Sequence, residues 1–377
     1  MIYFDNAATG GFKTQAVFDA VNLATKYLCA NPTRSGHRLA LAGAKIINDC
    51  RENIAEFFEC NPDRVIFTKN CTEALNIAIF GSLKKGGHVI TTVYEHNSVL
   101  RPLYSLKNMG IIQLDIVEPI KNSLALAINN AIKDNTYLVV TTALSNVTGE
   151  SIEVKKISSI CKAKNILYIV DGAQGGGHIP LSLKKDGFNM LCLAGHKGLY
   201  GIMGSGVLII DDKTFLTPLI YGGTGTDSFN LTQPELYPER LEAGTLNLPA
   251  ISALNEGVKY ISSNLLNFGE HLLNLTSILI DGLETIPNVK CYSKPNRAGI
   301  CSFCIESLPS SDLADILNTE YDVAVRGGLH CAPLMHKYLH TDDFGLVRVS
   351  LAAQNTTREI NYFINAIQKI VKSFLVR

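Results

Sequence analysis

The chain has 377 residues, of which 46% are hydrophobic and 18% are charged, as in an ordinary globular protein. Its 34 basic and 34 acidic residues cancel without any block of like charge, which argues against a nucleic-acid partner or a membrane-surface patch. The start "MIYFDNAATGG" lacks a signal-peptide pattern, no apolar run could span a bilayer, and ten cysteines are scattered, so we expect a cytoplasmic protein with mostly reduced thiols.

Short apolar runs alternate with stretches of helical spacing between about residues 65 and 210. The runs predict strands at 64–68, 88–93, 137–144, 166–171, 190–195 and 206–210. Segments between them, such as "TEALNIAIFGSL", carry the apolar spacing of helices. This alternation predicts an α/β fold with a mostly parallel sheet covered on both faces. We place this sheet in a large domain, residues 13–255.

A second, smaller α+β domain is predicted for residues 256–377, with residues 1–12 packed on it. A loop-rich stretch at 221–247 leads into a long helical region at about 248–283, after which strands and helices become shorter. Cys301 and Cys304 have CxxC spacing, but they lie in an alternating apolar run that predicts a strand, and no second CxxC completes a zinc site. No metal site is therefore predicted.

Polar residues follow the ends of the predicted strands. Because ligands bind at the carboxyl ends of strands in open parallel sheets, these residues should converge on one site. They are Thr72, His96, Asn146, Asp171, His196 and Lys197.

The stretch "KNCTEALN" places Cys71 and Thr72 at the start of a helix, with Glu73 in its first turn. A hydroxyl group and free backbone N–H groups at a helix N-terminus form an anion site that suits phosphate. The alternative is that Thr72 is only the N-cap of the helix.

Asp171 ends a buried strand in "YIVDGAQGGG". A carboxylate there can hold a protonated ring nitrogen, although it can equally cap the turn before Gly172. Gln174 is placed to donate to a ring oxygen, or is polar filler. His96 suits stacking on an aromatic ring or proton transfer, and its interpretation depends on its neighbours because lone histidines are more often structural.

Lys197 stands between glycines directly after a strand, in "LCLAGHKGLYG". A lysine that forms a Schiff base must be partly deprotonated, and apolar or cationic surroundings lower its pKa accordingly. We attribute the flanking glycines to close approach of a cofactor to the backbone. The lysine, the aspartate, the phosphate site and the histidine together predict pyridoxal 5′-phosphate as the cofactor.

The chain resembles the fold-type I, class V aminotransferase-like enzymes, specifically the branch of cysteine desulfurases and selenocysteine lyases. The resemblance runs nearly end to end, and its motifs occur in family order. They are "YFDNAATG", "NPTRSGHRLA" (31–40), "CTEALN", "YEHNS", "SNVTGE", "VDGAQ", "AGHKGLYG", "EAGTLN" (242–247), "RGGLHCAPL" (326–334) and "RVSLAAQNT" (348–356).

For the cofactor, the resemblance implies that Lys197 forms the Schiff base, Asp171 pairs with the pyridine nitrogen and Gln174 contacts the phenolic oxygen. His96 would stack on the ring. Phosphate contacts are implied for Thr72 and His196, beside Cys71 at the same helix start, and for Thr245 from the partner subunit of a homodimer.

For the substrate, the resemblance implies that Arg348 binds the carboxylate as a bidentate fork. Asn146 would lie near the ring, and Cys331 would accept sulfur at the end of a loop that starts at Arg326. The chain also departs from the family pattern. Ala194 stands where many relatives carry a hydroxyl residue, and Leu329 replaces an often polar residue beside the cysteine.

These assignments predict a cysteine desulfurase that converts L-cysteine to L-alanine and leaves a persulfide on Cys331. The persulfide sulfur would pass to an acceptor, and a sulfur-acceptor protein is one possible partner. Arg326 and His330 are plausible sources of positive charge beside the thiolate. The alternatives are a selenocysteine lyase or another class V reaction, such as transamination. A further alternative from another class is a non-catalytic nucleotide-binding scaffold, based on the glycine-rich loops.

Overall fold

The computed structural model describes residues 1–32 and 36–375, so residues 33–35 of the motif "NPTRSGHRLA" lie outside the described residues. In chain order the strands are β1 (Ile2–Tyr3), β2 (Val65–Thr68), β3 (His88–Thr92), β4 (Gln113–Val117), β5 (Thr136–Thr142), β6 (Leu167–Asp171), β7 (Met190–Ala194), β8 (Gly206–Ile210), β9 (Val289–Cys291), β10 (Ile300–Ile305), β11 (Val323–Ala324), β12 (Arg326–Gly328) and β13 (Leu346–Ser350). The helices are α1 (Gln15–Lys26), α2 (Arg38–Phe58), α3 (Cys71–Gly81), α4 (Asn97–Asn108), α5 (Leu124–Ala131), α6 (Val154–Ala163), α7 (Leu183–Asp186), α8 (Leu248–Ser262), α9 (Leu265–Glu284), α10 (Ser310–Tyr321), α11 (Pro333–Tyr338) and α12 (Thr357–Leu375).

The large sheet has the strand order β2-β8-β7-β6-β5-β3-β4. Only β8 runs against its neighbours β2 and β7, and the other strands of this sheet are parallel, which confirms the predicted fold class. Each of the six predicted strands is present, with ends within two residues of the expected ones. The unpredicted strand β4 lies at the edge of the sheet, where the polar residues Gln113 and Asp115 interrupt its apolar run.

Apolar cores cover both faces of this sheet. Buried side chains of α2, α5, α6 and α8 pack against one face, and those of α3 and α4 pack against the other. The strands between them are buried on both sides, which is why they read as continuous apolar runs. The helix α8 places Leu254, Val258 and Ile261 in the core of the large sheet, so a domain division after residue 255 cuts through this helix.

The second core lies between α9, α10, α12 and the antiparallel sheet β12-β13-β10-β9. The N-terminal segment packs on it: β1 pairs in parallel with β11, and Phe4 is fully buried among its side chains. Cys301 and Cys304 lie on β10, with Cys301 buried and Cys304 partly exposed. No helix in the described part of the chain combines the length and apolar character needed to cross a membrane.

Candidate active site

A single cavity opens at the carboxyl ends of the parallel strands of the large sheet. It brings together the side chains that follow five different strands, as expected for this architecture. The residues that line it are Asn70, Cys71, Thr72, Leu75, His96, Ser98, Thr142, Asn146, Asp171, Ala173, Gln174, Ala194, His196 and Lys197. All the residues predicted after strand ends therefore meet in one place.

The N-terminus of α3 forms one wall of the cavity. Asn70 caps the helix, since its side-chain oxygen accepts the N–H of Glu73 at 2.9 Å. Thr72 is therefore not the cap, and its hydroxyl lies 2.8 Å from the hydroxyl of Ser98 instead. The N–H groups of Cys71 and Thr72 have no partner within the described residues, so two donors and a hydroxyl face an anion site.

Asp171 is buried at the end of β6. Its Oδ1 accepts the N–H of Ala173 at 2.9 Å and lies 3.5 Å from the Sγ of Cys71. The turn-capping alternative is thus also realised, but by one oxygen only. The other carboxylate oxygen makes no hydrogen bond to the described residues and remains available to a ligand.

Lys197 follows β7 and points its amine at the same cavity. Its Nζ has no hydrogen bond or ion pair with the described part of the chain. Burial lowers the pKa of Lys197, and the charges of Arg348 and Arg326 lower it further while Asp171 opposes them. The amine is therefore more readily neutral than an exposed lysine, which is what a nucleophilic or proton-accepting amine requires.

The glycines that flank Lys197 serve the protein's own packing. A Cβ on Gly195 would lie 2.2 Å from the Oγ of Ser205, and one on Gly198 would lie 2.4 Å from the backbone oxygen of Gly176. The sequence pattern attributes these glycines to clearance for a cofactor. In the structure they let the lysine loop approach neighbouring backbone segments closely.

His96 caps α4, and its Nδ1 accepts the N–H of Ser98 at 3.0 Å. This contact fixes the tautomer, because a neutral ring with an accepting Nδ1 carries its proton on Nε2. Burial lowers the pKa of His96, which favours the neutral ring. Ser98 lines the cavity although the sequence did not point to it, as do Asn70 and Thr142. The signal that could have found Ser98 is a hydroxyl residue two positions after the histidine at a helix start.

The N-terminal segment closes another side of the site. Gln174 donates from Nε2 to the carbonyl oxygen of Ala7 at 2.9 Å, and its Oε1 is buried without a partner. The Nδ1 of His196 lies 3.0 Å from the hydroxyl of Thr9, and burial lowers the pKa of His196 to about 4. The Nζ of Lys13 donates to the carbonyl oxygen of His196 at 3.2 Å.

The loop that carries Cys331 lies beside the cavity and is tied to it. Asn146 lines the cavity and donates from Nδ2 to the carbonyl oxygen of His330 at 2.8 Å, while the N–H of Asn97 donates to the carbonyl oxygen of Cys331 at 2.7 Å. The Nη2 of Arg326 lies 3.5 Å from the Sγ of Cys331. A guanidinium group is thus in direct contact with the thiol.

His330 does not share this role. Its ring is 2% exposed and faces the carbonyl oxygen of Arg326 and the ring of His336. Burial lowers the pKa of His330 well below its ordinary value, so the ring is neutral. Arg326 alone of the two expected sources supplies charge at Cys331.

Arg348 connects the two parts of the site. It is 1% exposed, donates from Nη1 to the carbonyl oxygen of Asn146 at 3.1 Å, and pairs through Nη2 with Asp5 at 3.0 Å. Its Nε is a buried donor without a partner. An anionic ligand near this guanidinium would satisfy that donor.

Four predicted site residues do not line the cavity itself: Arg326, Cys331 and Arg348, which lie beside it, and Thr245. Thr245 lies on the surface, and its hydroxyl accepts from the Nδ2 of Asn31 at 3.2 Å. Among the described residues, no group of histidine, cysteine and carboxylate side chains has the arrangement of a metal site.

The sequence matches the family described as "Aminotransferase class-V" over residues 2–363. A "Probable cysteine desulfurase" of Pyrococcus abyssi is 34% identical over 99% of this chain and 95% of its own length. Another, of Methanothermobacter thermautotrophicus, is 32% identical over 98% of this chain and 94% of its own. The apo structure of a cysteine desulfurase from Thermococcus onnurineus superposes with a TM-score of 0.92 at 31% identity and covers 99% of this chain and 95% of that one.

Proposed function

The chain belongs to the aminotransferase class-V family, and we propose that it is a cysteine desulfurase that uses pyridoxal 5′-phosphate. The observation that carries this proposal is that the thiol of Cys331, in contact with a guanidinium group, lies beside the cavity that contains Lys197. Cys331 contacts Arg326, and the residue before it is hydrogen-bonded to Asn146, which lines the cavity of Lys197.

The side chains of the cavity fit this cofactor. Lys197 offers an unpartnered amine of lowered pKa for the aldehyde, and Asp171 keeps one carboxylate oxygen free for the ring nitrogen. Thr72 and the free N–H groups at the start of α3 suit the phosphate group, and His196 lines the same cavity. The amide nitrogen of Gln174 uses one of its two hydrogens to bind Ala7, so its second N–H can donate to the phenolic oxygen of the cofactor.

The cofactor would supply an aldehyde that captures the substrate amine and an aromatic ring that accepts the electron pair released at the substrate Cα. Asp171 would hold the ring nitrogen protonated. Lys197 would take the Cα proton and return it to Cα after the sulfur has left, since alanine carries a hydrogen there. Arg348 would bind the substrate carboxylate, with Nε as its unused donor. His96 would present a neutral ring with its proton on Nε2 to the cavity.

Cys331 would then receive the sulfur atom. Its thiolate attacks the substrate sulfur, the S–S bond forms and the substrate C–S bond breaks. The electron pair of the broken bond remains on Cβ, which takes up a proton to become the methyl group of alanine. L-cysteine and the Cys331 thiol thus become L-alanine and a Cys331 persulfide, and Arg326 stabilises the attacking thiolate.

We also propose that the enzyme is a homodimer in which Thr245 contacts the phosphate group bound by the partner subunit. Its exposure, outside the cavity of its own chain, supports this role. A cytosolic location is part of the proposal, supported by the ten cysteines, all of which are free thiols. The persulfide would pass to a sulfur acceptor, for which we propose a protein.

Two measurements test the function. Borohydride reduction of the purified protein, followed by digestion, should place a pyridoxyl label on the peptide that contains Lys197. Incubation with L-cysteine should produce alanine and add the mass of one sulfur atom to the Cys331 peptide. Cys331→Ser should keep the label on Lys197 but lose the persulfide, whereas the matched control Cys304→Ser should retain both.

A label elsewhere than Lys197 would refute the cofactor assignment. Full sulfide release by Cys331→Ser with the same acceptor would refute the persulfide role. The same assay with L-selenocysteine separates the selenocysteine lyase alternative: in that case Cys331→Ser would still act on the selenium substrate while its turnover of L-cysteine is lost.

A further inference from the structure

A row of three buried polar side chains lies behind the loop of Cys331. The Nε2 of His330 is 3.1 Å from the carbonyl oxygen of Arg326, and its Nδ1 is 3.4 Å from the Nε2 of His336. The Nδ1 of His336 is 2.8 Å from the hydroxyl oxygen of Thr341. The two imidazole rings stack with centroids 5.5 Å apart, and all three side chains are buried.

The direction of every hydrogen bond in this row follows from its first acceptor. A carbonyl oxygen can only accept, so His330 carries its proton on Nε2 and, as a neutral ring, accepts at Nδ1. The Nε2 of His336 must therefore donate, which leaves its Nδ1 as an acceptor for the hydroxyl of Thr341. Protons thus point one way, from Thr341 through His336 and His330 to Arg326.

This row of side chains contacts both Arg326 and the turn that carries Cys331. Arg326 receives the last hydrogen bond at its backbone and places its guanidinium 3.5 Å from the Sγ of Cys331. His330 and Cys331 both have left-handed backbone conformations, with φ of 52° and 58°, which residues with a side chain adopt at a cost. Local contacts hold this turn: the carbonyl oxygens of His330 and Cys331 accept from Asn146 and Asn97, and the ring of His330 bonds to the carbonyl oxygen of Arg326.

We infer that His336 is a positioning residue that, together with Thr341, orients His330 and so holds the guanidinium of Arg326 against the thiol of Cys331. The effect of this positioning on sulfur transfer rests on the proposed function, but the contact between Arg326 and Cys331 does not. A residue that only filled this space would need no polar atoms. An apolar side chain at position 336 would leave the buried Nδ1 of His330 without a donor.

The test reads the charge beside Cys331 directly. In the full-length protein without substrate, Cys331 is alkylated with iodoacetate or with iodoacetamide, and both rates are followed by mass spectrometry of its peptide. The ratio of the two rates cancels differences in access and in thiolate content, since both reagents attack the same thiolate. A guanidinium in contact raises this ratio because it attracts the anionic reagent.

His336→Leu should lower the ratio about threefold, as expected if a unit charge moves away from a reagent at about 5 Å in water. His336→Gln, which keeps an N–H donor toward His330, should stay within a factor of about 1.5 of the wild type, since it preserves the directional contact. Thr341→Val should lower the ratio and Thr341→Ser should restore it. The threonine pair keeps the test decisive if His336→Leu does not fold.

An unchanged ratio in folded His336→Leu and Thr341→Val would overturn the inference, as would an equal fall in both members of either pair. The outcome is separable from that of the proposed function. If wild-type Cys331 gained no sulfur from L-cysteine, the desulfurase proposal would fail while the ratio could still report the positioning contact.

Discussion

A buried ion pair supports the segment that carries Thr245, and its removal should destabilise the fold strongly. Arg51 and Glu242 are 7% and 9% exposed. One carboxylate oxygen of Glu242 binds the Nη2 of Arg51, and the other accepts the N–H of Phe67 at 2.6 Å. Both oxygens therefore act as acceptors toward buried donors.

Glu242→Gln keeps the shape of this side chain but replaces one acceptor by a donor. The new amide must face either a guanidinium or a backbone N–H, and the charge of Arg51 is left buried without its partner. Breaking a buried pair in this way costs about 3–5 kcal/mol. With a urea m-value of about 2–3 kcal/mol per molar, the midpoint should fall by roughly 1–2.5 M.

Circular dichroism in urea measures this shift at neutral pH, and the double variant Arg51→Met with Glu242→Met is the control. The double variant should recover part of the loss, because it removes both charges and keeps apolar volume but leaves the N–H of Phe67 without its acceptor. Burial raises the pKa of Glu242 and Arg51 opposes that rise, so Arg51→Met should regain stability as the pH falls and Glu242 takes up a proton. A loss below about 1 kcal/mol in Glu242→Gln would refute the reasoning.

Three further outcomes are expected. Arg326→Gln should lower the iodoacetate-to-iodoacetamide ratio at Cys331 about threefold or more, with Arg326→Lys intermediate, since it removes the contacting charge. Gly177→Ala should reduce cofactor binding, measured by absorbance titration, because a Cβ there would lie 2.1 Å from the oxygen of Gly198 beside the lysine, at a φ of +84°; unchanged affinity would contradict this. Burial lowers the pKa of His336 from 6.5, so below that pH the unfolded chain binds more protons than the folded chain, and the stability of the fold decreases on acidification. His336→Gln removes this titrating group, so its urea midpoint should decrease less between pH 7 and pH 5 than that of the wild type.

The location of the site was predictable because it depends on strand order and direction. Once the apolar runs are assigned to parallel strands, the polar residues that follow them must reach one edge, and Asp171, His96 and Lys197 do meet there. The edge strand β4 was not predicted because its position in the sheet weakens the apolar pattern. It is buried on fewer sides, so its sequence carries less of the apolar signal.

The contacts within the site were less predictable because they depend on side-chain direction. That Asn70 rather than Thr72 caps α3, and that Ser98 joins the site, follows from rotamers and helix starts that differ by one residue. His336 is close to Cys331 in sequence, in the helix α11 that follows it, but its contact with the ring of His330 depends on the conformation of the turn between them.

The N-terminal segment contacts both the small core and the cavity of the large sheet. Its first residues belong to the small core, through β1 and Phe4, yet its next residues reach the cavity of the large sheet. Asp5 holds Arg348 and the carbonyl oxygen of Ala7 holds Gln174, so one short stretch touches both the residue proposed for the substrate carboxylate and a wall of the lysine cavity. Arg348 also donates to the carbonyl oxygen of Asn146, so a shift of the small core relative to the sheet would break this hydrogen bond, whereas Asp5 would move together with Arg348. Asn146 joins the two parts of the site: it lines the lysine cavity, donates to the carbonyl oxygen of His330 next to Cys331, and accepts from Arg348 through its own carbonyl oxygen.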